Sequence, residues 1–225
     1  MEKLRLAVFD CDGTLVDSQQ AIVRTMTATF EAHTIEPPEP SSIRRIIGLP
    51  LAQAIECLLP EGSLNNSADM VDTYKHMFYD QCVAGNVEEP LFPGVVDVLD
   101  LLTNDGWLLG IATGKAMRGL KATLEPYGLL DYFVTLQTSD VALGKPNPDM
   151  LHRAMENTGV DAVNTVMIGD TTFDIDMACN AGTKGIGVSW GYHEAKELHQ
   201  SGASCVIDTF EALPKALEHL TENIR

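Results

Sequence analysis

The chain has 225 residues, room for one large domain or for a core with a smaller insertion, and its 45% hydrophobic and 21% charged content suits a water-soluble globular protein. A formal net charge of −17 with no basic patch argues against nucleic acid and against an anionic membrane as partner, since both call for clustered positive charge. No apolar run reaches bilayer-spanning length and the stretch Met1 to Arg5 lacks the long apolar region of a secretion signal, so a cytoplasmic protein is the expectation.

The first element is a short apolar strand, Leu4 to Phe9, which runs into Asp10-Cys11-Asp12-Gly13-Thr14-Leu15. Two carboxylates one residue apart at a strand end repel each other and call for a cation or a shared proton. Gly13 permits a sharp turn directly after them. From Ser18 the character changes. Ile22, Met26, Phe30 and His33 recur at helical spacing, with Ser18 placed to cap the helix, until the proline-rich Ile35 to Ser42 imposes a loop. A short helix at Ile43 to Ile47, another at Leu51 to Leu59 and a longer one near Ala68 to Ala84 complete an all-helical block.

Beyond Leu91 the pattern alternates helix and strand. The strands are Trp107 to Ala112, Phe133 to Gln137, Thr165 to Ile168, Gly185 to Ser189 and Cys205 to Ile207. Near-continuous apolar strands alternating with helices mean an α/β fold: a doubly wound parallel sheet covered on both faces, with the helical block inserted after its first strand. Five scattered cysteines without a Cys-x-x-Cys fit free thiols better than a disulfide framework or a zinc site.

In open parallel sheets ligands bind beyond the carboxyl ends of the strands. Four strands here end on, or lead into, chemistry: Asp10 and Asp12, Thr113-Gly114, the Gly144-Lys145-Pro146 loop, and Asp170 with Asp174. Four acids and one lysine leave a negative crevice that would repel an anionic substrate unless a divalent cation sat in it. A ligand set made only of oxygen, with no histidine or cysteine pair nearby, selects magnesium.

In this order, Asp10-Cys11-Asp12-Gly13-Thr14-Leu15, Thr113, Lys145 and Gly169-Asp170-Thr171-Thr172-Phe173-Asp174 resemble the haloacid dehalogenase superfamily of phosphotransferases. The helical insertion between the first two motifs resembles the branch of phosphoglycolate phosphatase-like enzymes and β-phosphoglucomutase. The resemblance implies a Rossmann-like core, residues 1–16 and 89–225, with an α-helical cap at residues 17–88. It also implies a magnesium-dependent phosphatase of a small phosphorylated metabolite, working as a monomer or homodimer. Asp10 would attack phosphorus and Asp12 would protonate the leaving oxygen, then deprotonate water. Asp10, the Asp12 main-chain carbonyl and Asp170 would hold magnesium, with Asp174 acting through a water or by orienting these ligands. Thr113, the Gly114 N–H and Lys145 would neutralise the phosphoryl oxygens.

Each of these residues alone has an ordinary reading. Thr171-x-x-Asp174 is a helix capping box, which does not prevent Asp174 from also facing a metal, and a Gly-Lys-Pro loop commonly carries a solvated lysine. Substrate choice falls to the cap, where Arg44, Arg45 and the Ile47-Gly48-Leu49-Pro50-Leu51 turn, similar to the family's specificity loop, are candidates, against a reading in which both arginines are solvated. His193 is a weaker candidate for lining the crevice. Gly110 to Ala116 imitates a nucleotide-binding P-loop, but its glycines are one residue too close and Ala116 replaces the metal-binding hydroxyl. A β-phosphoglucomutase-like phosphomutase and a non-catalytic phosphate-sensing adaptor remain as alternatives. Hinges are expected near Val16 to Ser18 and Glu88 to Pro90.

Overall fold

Leu6, Ala7, Val8 and Phe9 are fully buried in β1 (Arg5–Phe9), as a strand covered on both faces requires. The computed structural model describes residues 4–60, 67–85 and 87–222. After β1 come four helices, α1 (Gln19–Ala32), α2 (Pro40–Arg45), α3 (Leu51–Leu58) and α4 (Ser67–Val83). They share a small core of Met26, Phe30, Ile43, Ile55 and Met70, separate from the core of the sheet.

Most of these boundaries shift by a single residue, and α2 shifts further. The short helix placed at Ile43 to Ile47 begins at Pro40 and ends at Arg45. Proline at the first position of a helix loses no hydrogen bond, because that N–H has no partner inside the helix, and its fixed φ suits the helical turn. Ser18 does precede α1, yet its side chain makes no capping bond; its Oγ lies 3.2 Å from the Tyr192 hydroxyl instead.

The remaining elements are α5 (Val95–Asn104), β2 (Trp107–Thr113), α6 (Met117–Leu124), β3 (Phe133–Thr138), α7 (Asp149–Thr158), β4 (Thr165–Gly169), α8 (Thr172–Asn180), β5 (Lys184–Val188), α9 (Ala195–Gln200), β6 (Cys205–Ile207) and α10 (Leu213–Glu222). Among the described residues the strands form one six-stranded sheet in the order β3-β2-β1-β4-β5-β6, with every pairing parallel. Side chains alternate across it. Ala7 and Phe9 pack with Val98 and Leu99 of α5, Leu120 and Leu124 of α6, and Leu213 and Leu217 of α10. Leu6 and Val8 pack with Met150, Leu151 and Ala154 of α7 and with Met177 and Ala178 of α8. The sheet is therefore wound on both faces, an α/β Rossmann-like fold.

The two chain segments joining the helices to the sheet run side by side. Val16 pairs antiparallel with Leu91, the Asp17 N–H donates to the Pro90 carbonyl at 2.8 Å, and the Phe92 N–H donates to the Leu15 carbonyl at 3.0 Å. All five cysteines are unpaired. No described helix is long and apolar enough to cross a membrane.

Candidate active site

The strand order places the carboxyl ends of β3, β2, β1 and β4 next to one another, so residues far apart in sequence meet at one edge of the sheet. Asp10 is the first residue past β1, and its N–H still donates to the Ile168 carbonyl of β4 at 2.9 Å. Gly13 follows at φ +81, and a β-carbon there would lie 2.3 Å from Asp170 Oδ2 and 2.6 Å from the Tyr192 ring. No other residue fits that turn, because the backbone is left-handed and the space is already taken.

Asp10, Asp170 and Asp174 converge, all buried, with one carboxylate oxygen from each within 4.8 Å of the others. Lys145, fully buried in the loop after β3, reaches Asp10 Oδ1 at 2.8 Å and Asp174 Oδ1 at 2.6 Å. The other Asp174 oxygen accepts from the Thr171 N–H at 3.0 Å and the Thr171 hydroxyl at 2.7 Å. Capping α8 and facing the cluster thus occupy the two oxygens of one side chain. Asp170 accepts from the Thr14 hydroxyl at 2.9 Å and from the Tyr192 N–H at 2.9 Å. Asp10 Oδ1 also accepts from the Cys11 N–H at 2.6 Å.

Charge at this edge is frustrated. Burial pushes the Asp10 carboxyl up to about 7, with Lys145 opposing the rise and Asp174 adding to it. Burial, then Asp174 and Asp10, hold the Asp170 carboxyl well above its ordinary value. Burial disfavours the Lys145 ammonium, but Asp10 and Asp174 outweigh it and hold its pKa above the usual lysine value. One ammonium cannot neutralise three carboxylates. Asp10 Oδ2 is buried and accepts no hydrogen bond, and the three clustered carboxylates offer oxygen as their only ligand atom. That donor set fits a hard divalent cation such as magnesium, which Asp10, Asp170 and Asp174 could hold.

Other singled-out residues lie around the cluster. Thr113 is buried at the end of β2, where its Oγ1 accepts from the Lys115 N–H at 3.2 Å. Gly114 lies under the helical block, since a β-carbon there would sit 2.7 Å from the Leu49 carbonyl and 2.8 Å from the Gly48 carbonyl. Gly48 also faces Thr171, whose Oγ1 would stand 3.3 Å from an added β-carbon. The Arg45 guanidinium is engaged by Glu197, in two bonds of 2.7 and 2.9 Å. That hydrogen-bonded pairing holds the Glu197 carboxyl down to about 2. Arg44 lines a cavity of about 260 Å³ with Asp17, Gln19, Phe92, Trp190, Gly191 and Tyr192. His193 is buried and bridges the two halves: Nδ1 accepts from the Thr172 N–H at 3.1 Å and Nε2 lies 3.1 Å from the Arg45 carbonyl. Burial pushes its pKa down, the state in which Nδ1 is free to accept.

Asp12 stands apart from the three-carboxylate cluster. Its Oδ1 meets the Lys115 ammonium at 2.9 Å, and Lys115 meets Glu89 Oε1 at 3.0 Å. Neither Lys115 nor Glu89 emerges as a site residue from the sequence. Lys115 had a visible signal, its place directly after Thr113-Gly114. Glu89 and Tyr192 carry no local signal, because their partners lie across the fold.

Fold and cluster together define an α/β protein with an acidic, cation-ready site at its strand ends. The chain belongs to the haloacid dehalogenase-like hydrolases, whose family profile matches residues 7–188. It is 38% identical over 219 residues, 96% of this chain and 94% of the other, to the "Probable phosphatase IndB" of Dickeya dadantii. It is 31% identical to a phosphoglycolate phosphatase of Agrobacterium fabrum, over 94% of this chain and 91% of that one. A crystal structure described as "a predicted phosphatase from Clostridium acetobutylicum" superposes with a TM-score of 0.85 at 25% identity, covering 97% of this chain and 100% of that one.

Proposed function

We propose that the chain is a magnesium-dependent phosphatase of a small phosphate monoester, phosphoglycolate phosphatase-like, working through an aspartyl-phosphate on Asp10. The observation that carries this reading is the buried cluster of Asp10, Asp170 and Asp174 around Lys145, with one Asp10 oxygen left unpartnered. Asp10, Asp170 and the Asp12 main-chain carbonyl, with Asp174 close by, would hold magnesium, which would supply the positive charge that keeps these carboxylates ionised beside a phosphate.

The chain's own residues then divide the work. A carboxylate oxygen of Asp10 forms a bond to phosphorus as the ester P–O bond breaks, and the Asp12 carboxyl gives its proton to the departing oxygen. Water next attacks the aspartyl-phosphate, Asp12 takes its proton, and the bond from Asp10 to phosphorus breaks to release inorganic phosphate. Thr113, the Gly114 N–H and Lys145 bind the phosphoryl oxygens and offset their charge. Residues 17–88 act as a cap, hinged where Val16 pairs with Leu91, that brings the Gly48 turn over the crevice and excludes water. A substrate role for Gly48 is supported by its packing against Thr171 and Gly114. Arg45 reaches substrate only by leaving Glu197.

The test is hydrolysis of 4-nitrophenyl phosphate with and without magnesium, in the native chain and in Asp10→Asn. Activity should require magnesium and fall by ~10³-fold or more in the variant. An unchanged rate in Asp10→Asn would sink the reading.

A further inference from the structure

We propose that Lys115 is a positioning residue that fixes the Asp12 carboxyl for proton transfer and is itself anchored by Glu89. The inference deepens the phosphatase reading and rests on it for the role of Asp12. Its observation is a buried triad outside the three-carboxylate cluster. Lys115 Nζ lies 2.9 Å from Asp12 Oδ1 and 3.0 Å from Glu89 Oε1, and the three side chains are 10%, 9% and 7% exposed.

Among the described residues Lys115 is the one ion-pair partner of Asp12. A proton donor must lie within hydrogen-bond reach of the oxygen it serves, and a free aspartate rotates between several orientations. A fixed ammonium 2.9 Å from Oδ1 favours one of them through a close ion pair in a largely dry setting. Lys115 is itself fixed. Its N–H donates to Thr113 Oγ1 at 3.2 Å, and Glu89 holds its ammonium. Glu89 in turn accepts from the Thr123 hydroxyl at 2.6 Å, and its carbonyl accepts from the Tyr127 hydroxyl at 2.9 Å. From the other side, the Phe78 ring of α4 faces the ammonium at 5.4 Å and keeps water from it. The chain of contacts runs from α6, through Glu89 and Lys115, to the group that moves the proton.

A positioning role has a signature that a merely structural one lacks. Protonation of the leaving oxygen matters greatly for an alkyl ester, whose alkoxide leaves poorly, and little for 4-nitrophenyl phosphate, whose phenolate leaves readily unprotonated. The measurement is kcat/KM on 4-nitrophenyl phosphate and on the best alkyl phosphate of a metabolite panel, because this ratio reports the step in which the ester bond breaks. Lys115→Met should lose ~10²-fold on the alkyl ester and less than about 10-fold on the aryl ester. Lys115→Arg should restore part of the alkyl activity. Lys115→Met/Glu89→Gln, which leaves no unpaired charge at position 89, should melt like the native chain and still show the alkyl-selective loss of Lys115→Met. In an Asp12→Asn background, Lys115→Met should have no further effect on the ratio of the two esters. Equal losses on both esters in an active, folded protein overturn the inference and leave the phosphatase reading intact. A native chain that cleaves neither ester overturns the phosphatase reading, and the inference falls with it.

Discussion

At Asp10 burial and ion pairing pull in opposite directions, and burial wins in the absence of a cation: the carboxyl rises to about 7 despite Lys145 at 2.8 Å. Between the unfolded value of about 4 and the folded value, the native chain holds a proton that the unfolded chain has released. Folded-state stability without metal should therefore fall as pH rises through that window. A bound cation displaces this proton, so stabilisation by magnesium should grow as pH rises. Melting curves with magnesium and with a chelator, at about pH 5 and about pH 7.5, would show a wider gap in Tm at the higher pH. A gap that narrows with pH would place the cation elsewhere. At this scale the acids were legible in the sequence because their motifs are local. Lys115 was masked by its resemblance to an unrelated loop, and Glu89 by pairing with residues 26 and more positions away.

The strands behave as their apolar runs dictate, and the short helices follow capping chemistry more than periodicity. Helix α2 starts at Pro40, where proline is tolerated, although three prolines in a row of eight residues read as a loop. Loops, rather than helices, decide how closely the two halves meet. A β-carbon on Gly144 would lie 2.0 Å from Cγ of Pro50, the residue before α3, whose ring cannot swing aside. Gly144→Ala should lift the Gly48 to Pro50 turn from the phosphate loops and lower kcat/KM by about 10- to 100-fold, through misplacement of groups that must be near 3 Å from the ester. The magnesium-induced rise in Tm should persist, because no proposed metal ligand changes. Native kinetics in this variant would mean that the turn is not seated there during turnover.

Over the whole molecule, the helical block is tied to the sheet by two paired linkers and by a handful of contacts across the crevice. Among them are Arg45 with Glu197, His193 with the Arg45 carbonyl, and Arg118 against the Tyr79 ring at 3.9 Å. The Arg45 and Glu197 pair is exposed to solvent, and such pairs are weak and salt-screened, which suits a contact that forms and breaks in each cycle. Glu197→Ala should shift the block toward open positions, seen as a larger radius of gyration in solution scattering. Magnesium with a phosphate analogue should reduce the radius of both proteins. A radius insensitive to the substitution and to ligand would count against a moving cap.

The sequence by itself determined the order of elements, the parallel sheet and the identity of the acids and of Lys145, because apolar runs, turn residues and strand-end motifs act over short stretches of chain. Only the tertiary structure decided which charges face each other. It set Lys115 between Asp12 and Glu89, Arg45 against Glu197, and Asp170 beneath the Tyr192 N–H. Those pairings depend on where strand ends and loops from opposite ends of the chain come to rest. In a buried crevice, a partner a few ångströms away decides whether a carboxylate is oriented, neutralised or left open for a cation.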